Sequence, residues 1–348
     1  MVFQIGPLTV SPDHPPVVVA ELGVNHDGSP QRAIRLLELA REAGADAVKL
    51  QVFRAGTLVQ GDGLLAAYQQ GVAESSAELL RRLELTPEAL EAVAAHARRL
   101  GVPLLATPFS LSDVPVCRRL GLSAVKIASP DVINHLLLEA AAGLGLPMLV
   151  STGAATLDEL DASVAVLESL GASHLLLHCV SAYPTPPEQA HLTFIRELAG
   201  RYGRPVGYSD HVPGTRAGAL AVAAGAVLLE RHFTDDTTRS GPDHAASSDP
   251  GEFARYVAEV REAWRLLGCG LKRVLPVEED VRKVSRQSLV LEQPLRAGEP
   301  LQKQHLTTRR PGTGLLPDTY RRWLGRRARR DLPAGTMLTE HDLAGTER

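Results

Sequence analysis

The chain reads as a (β/α)8 barrel of the TIM type followed by a small β-rich domain, and three observations predict it. Eight short apolar, β-branched runs alternate with segments of helical periodicity over roughly 250 residues, the usual length of such a barrel. Glycines fall just past the helical runs, where a left-handed capping residue is expected. No G-x-G-x-x-G or Walker loop follows the first strand, as an open nucleotide-binding sheet would require.

The strand candidates are residues 17–22, 47–52, 104–107, 124–128, 148–151, 175–179, 205–209 and 226–232. Helical periodicity covers residues 30–43, 87–100, 136–144, 156–170, 194–202, 215–224 and 250–267. Gly44, Gly101, Gly121, Gly145, Gly171 and Gly225 supply the stops, and Pro103, Pro147 and Pro205 restart the chain at the head of a strand.

In a barrel of this kind the residues at the C-terminal ends of the strands share one mouth. Here they are Glu21 with Asn25 and His26, Lys49 and Gln51, Thr107, Lys126 and Ser129, Ser151 and Thr152, His178 with Tyr183, Ser209-Asp210-His211, then Glu230 and His232. A barrel built for stability alone could keep this rim apolar, so the recurrence of charge and hydroxyl predicts chemistry there. His211 and His232 each stand where an apolar run ends, so their imidazoles could converge on one metal; the plainer alternative is two unrelated polar residues. Lys49 and Lys126 with Thr107, Ser129, Ser151 and Ser209 suit a phosphate ester, unless the lysines only neutralise Glu21 or Asp210. Glu21, Tyr183 and Asp243 are of the kind that orients a polyol.

With 348 residues, 44% hydrophobic content and a net charge of -3, the chain can bury a large core and shows no general attraction to nucleic acid or to an anionic membrane. Residues 1–10 lack the basic and apolar regions of a secretory signal, and no apolar run approaches a membrane span, so a cytoplasmic location is expected. Cys117, Cys179 and Cys269 have no paired spacing and read as core or near-surface thiols, with a catalytic cysteine as a minor alternative.

Composition places the barrel in residues 1–275, a polar linker in 276–287 and the second domain in 288–348. In the last of these, β-rich runs at 288–291 and 337–338 go with similar turns at 296–299 and 333–336. Residues 321–330 hold six arginines. On a mildly acidic chain, a solvated face or a contact between subunits explains them better than nucleic-acid binding.

Taken in order, the motifs at 20–28 (AELGVNHDG), 44–51 (GADAVKLQ), Thr107-Pro108-Phe109, Lys126-Ile127-Ala128-Ser129, Ser151-Thr152-Gly153, 178–186 (HCVSAYPTP), 207–211 (GYSDH) and Gly241-Pro242-Asp243-His244 resemble those of the bacterial sialic acid synthases. Arg310-Pro311-Gly312-Thr313-Gly314 resembles the matching part of their antifreeze-like (SAF) domain, so the resemblance spans nearly the whole chain.

The resemblance implies condensation of phosphoenolpyruvate with an unphosphorylated N-acylmannosamine-type sugar, giving a nine-carbon 2-keto acid and phosphate. By similarity, Lys49, Thr107, Lys126, Ser129, Ser151 and Ser209 bind phosphoenolpyruvate. Glu21, Gln51, Tyr183, Asp243 and Arg310 bind the sugar, and His211 and His232 bind Mn2+ or Mg2+. Glu21, Lys49 and Asp243 are the residues expected to act in the chemistry, with Glu21 preferred for handling a proton or orienting water. Arg310 would reach the partner's site in a domain-swapped homodimer. Where the family often has a tyrosine, this chain has Ala77, so sugar contacts from that connection are not carried over. Two rivals remain: a synthase acting on a phosphorylated aldose, and a non-catalytic carbohydrate-binding or assembly protein on a degenerate barrel.

Overall fold

A computed structural model describes residues 2–61, 63–64 and 75–345. An N-terminal hairpin, β1 (Phe3–Ile5) and β2 (Leu8–Val10), precedes the barrel. The barrel strands are β3 (Val17–Gly23), β4 (Ala47–Val52), β5 (Leu104–Pro108), β6 (Ala124–Ile127), β7 (Met148–Ser151), β8 (His174–Cys179), β9 (Val206–Asp210) and β10 (Ala226–His232). All neighbours are parallel and β10 pairs with β3, so the sheet closes on itself as the sequence predicts.

The outer helices are α1 (Pro30–Glu42), α4 (Pro87–Leu100), α5 (Val114–Leu120), α6 (His135–Ala142), α7 (Leu157–Ser169), α8 (Phe194–Tyr202), α9 (Arg216–Ala223) and α10 (Pro250–Leu267). Their starts are written locally. Ser29, Thr86, Thr156 and Asp249 each accept a hydrogen bond from the backbone N–H three residues on, and Pro30, Pro87 and Pro250 occupy first-turn positions where a missing N–H costs nothing. Helix α5 escapes a periodicity search because it has only seven residues and carries Pro115 in its first turn, where proline is tolerated. Two further helices, α2 (Ala55–Leu58) and α3 (Ser76–Leu83), sit in the connection between β4 and α4.

Two apolar layers hold the barrel. Outward-facing strand residues such as Val18, Leu50, Val125 and Leu229 pack against the helices. Inside, Val17, Val19, Leu105, Leu149, Leu177 and Leu228 fill the N-terminal half and are covered by Phe3, Ile5 and Val10 of the hairpin. Gly207 lies where a β-carbon would stand 2.8 Å from the Leu228 carbonyl oxygen, so β9 and β10 can meet only because it has no side chain. Among the described residues, no helix is long and apolar enough to cross a membrane.

The chain separates into two compact units, Met1–Gly268 and Cys269–Arg348. The division falls at Gly268, ahead of the expected barrel end at residue 275, and the stretch expected as a plain linker contains helix α11 (Glu279–Ser285). Polar composition concealed it, since Val281 and Val284 are its apolar residues and both are exposed. In the second unit β11 (Ser288–Leu291) pairs antiparallel with β12 (Leu306–Arg309), ahead of the short helix α12 (Tyr320–Trp323). The expected strand at 337–338 is reduced to one bridge between Met337 and Val290. Leu289, Leu291, Leu301, Leu332, Leu338 and Leu343 form this unit's own core. Of the six arginines, Arg327, Arg329 and Arg330 are tied to Gly298, Leu343 and Asp342, while Arg326 lies over the Trp323 ring.

Candidate active site

The strands place alternate residues inside the barrel, and at the C-terminal mouth those residues surround a cavity of about 250 Å³. Glu21, Lys49, Gln51, Thr107, Lys126, Ser129, Ser151, Tyr183, Ser209, His211, His232 and Asp243 all line it. The barrel residues expected to hold substrate or metal are therefore at one site, whereas Asn25, His26, Thr152, His178, Asp210 and Glu230 of the expected rim are not among the residues that line it. Arg310 belongs to the C-terminal unit, where it is exposed.

Register explains the convergence. Glu21 on β3 is level with Lys49 on β4 on one side and with His232 on β10 on the other, and Gln51 is level with Thr107 on β5. Lys49 Nζ lies 3.3 Å from Glu21 Oε2 and 3.0 Å from Glu230 Oε1; Lys126 Nζ lies 3.8 Å from the same Glu230 oxygen. Ser209 Oγ also donates to that oxygen, at 3.1 Å, and Gln51 Nε2 donates to Glu21 Oε1 at 3.0 Å. Glu230 is thus the hub of the charged cluster. It was legible as a rim residue two positions before His232, but nothing in its motif assigned it a role. Lys49 does pair with Glu21, as the plainer alternative had it, whereas the ion-pair partner of Lys126 is Glu230. Asp210 is not their partner, since it faces Arg231 at 3.2 Å because its neighbour Ser209 takes the inward position.

Burial and charge set the protonation of this cluster. Burial pushes the Glu21 carboxyl up despite Lys49 beside it, and pushes the Lys126 ammonium down despite Glu230. For Glu230 burial acts upward but Lys126 and Lys49 outweigh it, so it stays ionised; for Lys49 burial acts downward but Glu21 and Glu230 keep it charged. Several buried polar atoms make no hydrogen bond within the protein, among them Thr107 Oγ1, Ser151 Oγ, Glu230 Oε2 and Glu21 Oε2, the last of which has only its ion pair with Lys49. Leaving such atoms buried and unpaired is costly, which marks the floor as a receptor for a charged, oxygen-rich ligand.

The two imidazoles stand side by side on the same cavity, ring centres 5.4 Å apart, with Tyr183 packed at 4.1 Å on His211 and 5.7 Å from His232. His211 Nδ1 donates to the Val180 carbonyl at 2.9 Å, which leaves Nε2 as a bare lone pair. Burial acts downward on His211, but the Cys179 thiol, with Sγ 3.9 Å from Nδ1, and the Val180 carbonyl outweigh it and raise its pKa. Burial holds His232 well below its ordinary pKa, with His211 adding to the effect, and its Nδ1 is buried without a hydrogen bond, 3.7 Å from Asp243 Oδ2. Burial also pushes the Asp243 carboxyl up to about 6. The donor set fits a divalent cation held by two imidazoles with its other positions open to water or substrate. Among the described residues, no group of three or more His, Cys, Asp or Glu side chains is placed to enclose one.

The other histidines of these motifs are structural. His178 Nε2 bonds the Ala190 carbonyl, and His244 bridges Thr234 and Asp27. His26 Nδ1 accepts from the Gly28 N–H at 3.1 Å. Cys179 also lines the cavity, where burial, which would raise its thiol, is outweighed by His211 and Lys126; Cys117 is buried and pushed up to about 12, and Cys269 is exposed.

A closed (β/α)8 barrel with lysines, hydroxyls and paired imidazoles at one mouth, joined to a small domain with its own core, defines an enzyme of the sialic acid synthase type. The chain belongs to the NeuB family, whose model matches residues 36–272, and residues 286–344 match the SAF domain. It is 38% identical to the N,N'-diacetyllegionaminic acid synthase of Legionella pneumophila, over 93% of this chain and 94% of that protein. It is 33% identical to the N-acetylneuraminate-9-phosphate synthase of Mus musculus, over 85% and 83% of the two chains. Its fold matches the N-acetylneuraminic acid synthetase of Leptospira borgpetersenii with a TM-score of 0.73 and 31% identity, over 81% of this chain and 95% of that one.

Proposed function

We propose that this enzyme condenses phosphoenolpyruvate with an unphosphorylated N-acylated amino hexose to give a nine-carbon 2-keto acid and inorganic phosphate. The observation that carries the reading is the cavity floor, where two ammonium groups and unpartnered hydroxyls lie beside paired imidazoles.

In this reading Lys49 and Lys126 neutralise the carboxylate and phosphate of phosphoenolpyruvate, while Thr107, Ser129 and Ser151 donate to their oxygens and Ser209 joins them by turning its hydroxyl from Glu230 to the ligand. Glu230 holds the two lysines in place and leaves them a net charge of about one unit, which favours a polyanion without trapping it. Glu21, Gln51, Tyr183 and Asp243 orient the open-chain sugar so that its aldehyde carbon meets C3 of phosphoenolpyruvate. The C3–C1 bond forms with the π electrons of the enol, water adds at C2, and phosphate leaves with cleavage of its C–O bond. Glu21, its pKa raised by burial, carries a proton near neutrality and is the group that hands it to the developing alkoxide or orients the attacking water. Mn2+ or Mg2+ held by His211 and His232 would supply Lewis-acid polarisation of the aldehyde. Arg310 of a second subunit would complete the sugar site in a domain-swapped homodimer.

The test is phosphate release from phosphoenolpyruvate with Mn2+, offering N-acetylmannosamine, its 6-phosphate and 2,4-diacetamido-trideoxy hexoses separately, with an EDTA control. Turnover of an unphosphorylated sugar that stops on chelation supports the reading. Turnover of the 6-phosphate alone replaces it with the phosphorylated-substrate synthase named for the mouse relative. Against that alternative, Lys49 and Lys126 are the only lysines or arginines that line the cavity among the described residues, and both are engaged at its floor.

A further inference from the structure

Behind the two imidazoles the barrel wall holds a buried polar cluster that the chemistry above leaves unused. Inward and outward residues alternate along β9 and β10, so while Ser209, His211 and His232 face the cavity, Asp210 and Arg231 point the other way, level with each other in the strand register. Arg231 is only 4% exposed, and a buried guanidinium is tolerated only where its donors are used. Its Nη1 donates to Asp210 Oδ2 at 3.2 Å and to the Val212 carbonyl at 2.9 Å, and its Nε donates to Ser248 Oγ at 2.6 Å. Nη2 lies 3.9 Å from Glu252 Oε1, and the guanidinium carbon stands 4.9 Å from the centre of the Tyr256 ring.

Three of these partners belong to the backbone that carries the imidazoles. Asp210 and Val212 flank His211, and the Asp210 carboxylate closes a turn around it by accepting from the Val212 N–H at 2.9 Å. On the other strand, the Ser248 N–H donates to the His232 carbonyl at 2.9 Å, and the Ser248 carbonyl accepts from the Thr234 N–H at 3.0 Å. One guanidinium therefore grips both neighbours of His211 and, through Ser248, the chain on both sides of His232. A planar fork with donors on fixed vectors can span these groups; an ammonium on a flexible stem carries the same charge but cannot hold all of them at once.

Two imidazoles share one ion only when a nitrogen of each reaches it at about 2 Å, so the spacing of the strands behind them matters. Resting on the assignment of a divalent ion to His211 and His232, we infer that Arg231 is a positioning residue, which acts through Asp210, Val212 and Ser248 to fix the two imidazoles relative to each other and thereby the affinity and geometry of the ion they hold.

The experiment titrates the full-length enzyme, freed of metal by EDTA and then of the chelator, with Mn2+ alone, and counts the free ion by electron paramagnetic resonance. The wild type is expected to bind one equivalent per chain and His211→Ala to lose it. Arg231→Lys, which keeps the charge and loses the fork, is expected to raise the Mn2+ Kd by about 10-fold to 100-fold, the usual worth of groups that support metal ligands. Ser248→Ala, which removes only the tie toward His232, is expected to raise it by about fivefold, the worth of one hydrogen bond. Both variants are expected to shift the visible bands of bound Co2+, which report ligand geometry. Ile5→Ala, destabilised at the far end of the barrel, is expected to keep the wild-type Kd and Co2+ spectrum, which separates positioning from a plain loss of stability. An unchanged Kd and Co2+ spectrum in Arg231→Lys and Ser248→Ala overturns the role of Arg231 and leaves the ion and the condensation standing. A rise in Kd as large in Ile5→Ala as in Arg231→Lys also overturns it. A wild-type chain that binds no Mn2+, or whose binding survives His211→Ala, overturns the assignment of the ion and this inference together.

Discussion

At the N-terminal end of the barrel, Phe3, Ile5 and Val10 close on Val17, Leu105, Leu149, Leu177 and Leu228, and the interior is filled by hydrocarbon. At the C-terminal end, two to four residues further along the barrel strands, Glu21, Lys49, Thr107, Lys126, Ser151 and Glu230 are equally buried, and four of those six keep a polar atom without a hydrogen bond. The strands are continuous, so the contrast shows a scaffold that concentrates favourable burial at one end and tolerates unfavourable burial at the other. The first end explains why the barrel folds, and the second explains what it is poised to receive.

The largest effect is expected where the contrast is sharpest. Lys126→Met replaces a buried ammonium by an apolar chain of similar length, and kcat/KM for phosphoenolpyruvate should fall by about 10²–10³-fold, as expected for loss of one preorganised electrostatic contact. Glu230 retains Lys49, so the thermal midpoint should change little, and steady-state kinetics beside a melting curve separates the two effects. A variant that melts far lower would mean the charged end also carries the fold. Ile5→Ala is the mirror image. It empties a fully buried site at the closed end, so unfolding should become easier by about 3 kcal/mol with kcat/KM within about twofold of the parent. Urea denaturation followed by circular dichroism tests it, and a large loss of activity in folded protein would break the separation of the two ends.

Sequence made the first end of this comparison partly legible and the second largely so. Strand runs, glycine stops and the inward alternation of Lys49 with Gln51, or Ser209 with His211, depend on local pattern and period, and these are read without coordinates. The hairpin at β1 and β2 was missed because three-residue strands are too short to show a period, and α5 because its proline disguised a first turn. Glu230 lay in plain view, yet its function as the shared partner of two lysines is a tertiary fact, set by where three strands bring their ends. The apolar flank of the mouth cavity was equally hidden: Phe53, Leu80 and Phe109, which line it, come from three separate segments and only folding makes them one surface.

A third prediction tests the turn that leaves the first strand toward the mouth. His26 is buried, and burial holds its pKa down at about 4, with Asp27 opposing; its Nδ1 must stay unprotonated to accept the Gly28 N–H. Between pH 6.5 and 4 the unfolded chain therefore binds a proton that the folded chain refuses. Stability from this residue is complete above about 6.5 and is lost as pH falls toward 4, by about 3 kcal/mol over that span. His26→Gln should flatten the dependence of the urea midpoint on pH across this window; an unchanged slope would assign the acid sensitivity to other groups.

The smallest expected effect concerns whether the open end is completed from outside its own barrel. Arg310 lies in the C-terminal unit on an exposed stretch after β12, so it is free of the packing that would make its loss destabilising. If a second subunit presents it to the sugar, Arg310→Ala should raise the sugar KM by about tenfold with kcat and the phosphoenolpyruvate KM little changed, because the group would bind ground state and transition state alike. Mixing the Arg310→Ala variant with Lys126→Met then decides between subunits. When Arg310 acts across the interface, a mixed dimer has one site with both residues intact, so sugar affinity near the parental value returns in a fraction of the sites. When it acts within its own chain, every site lacks one of the two residues and no such recovery follows. Recovery on mixing would show that the charged mouth is finished only by association, whereas the closed end of each barrel needs no partner to be complete.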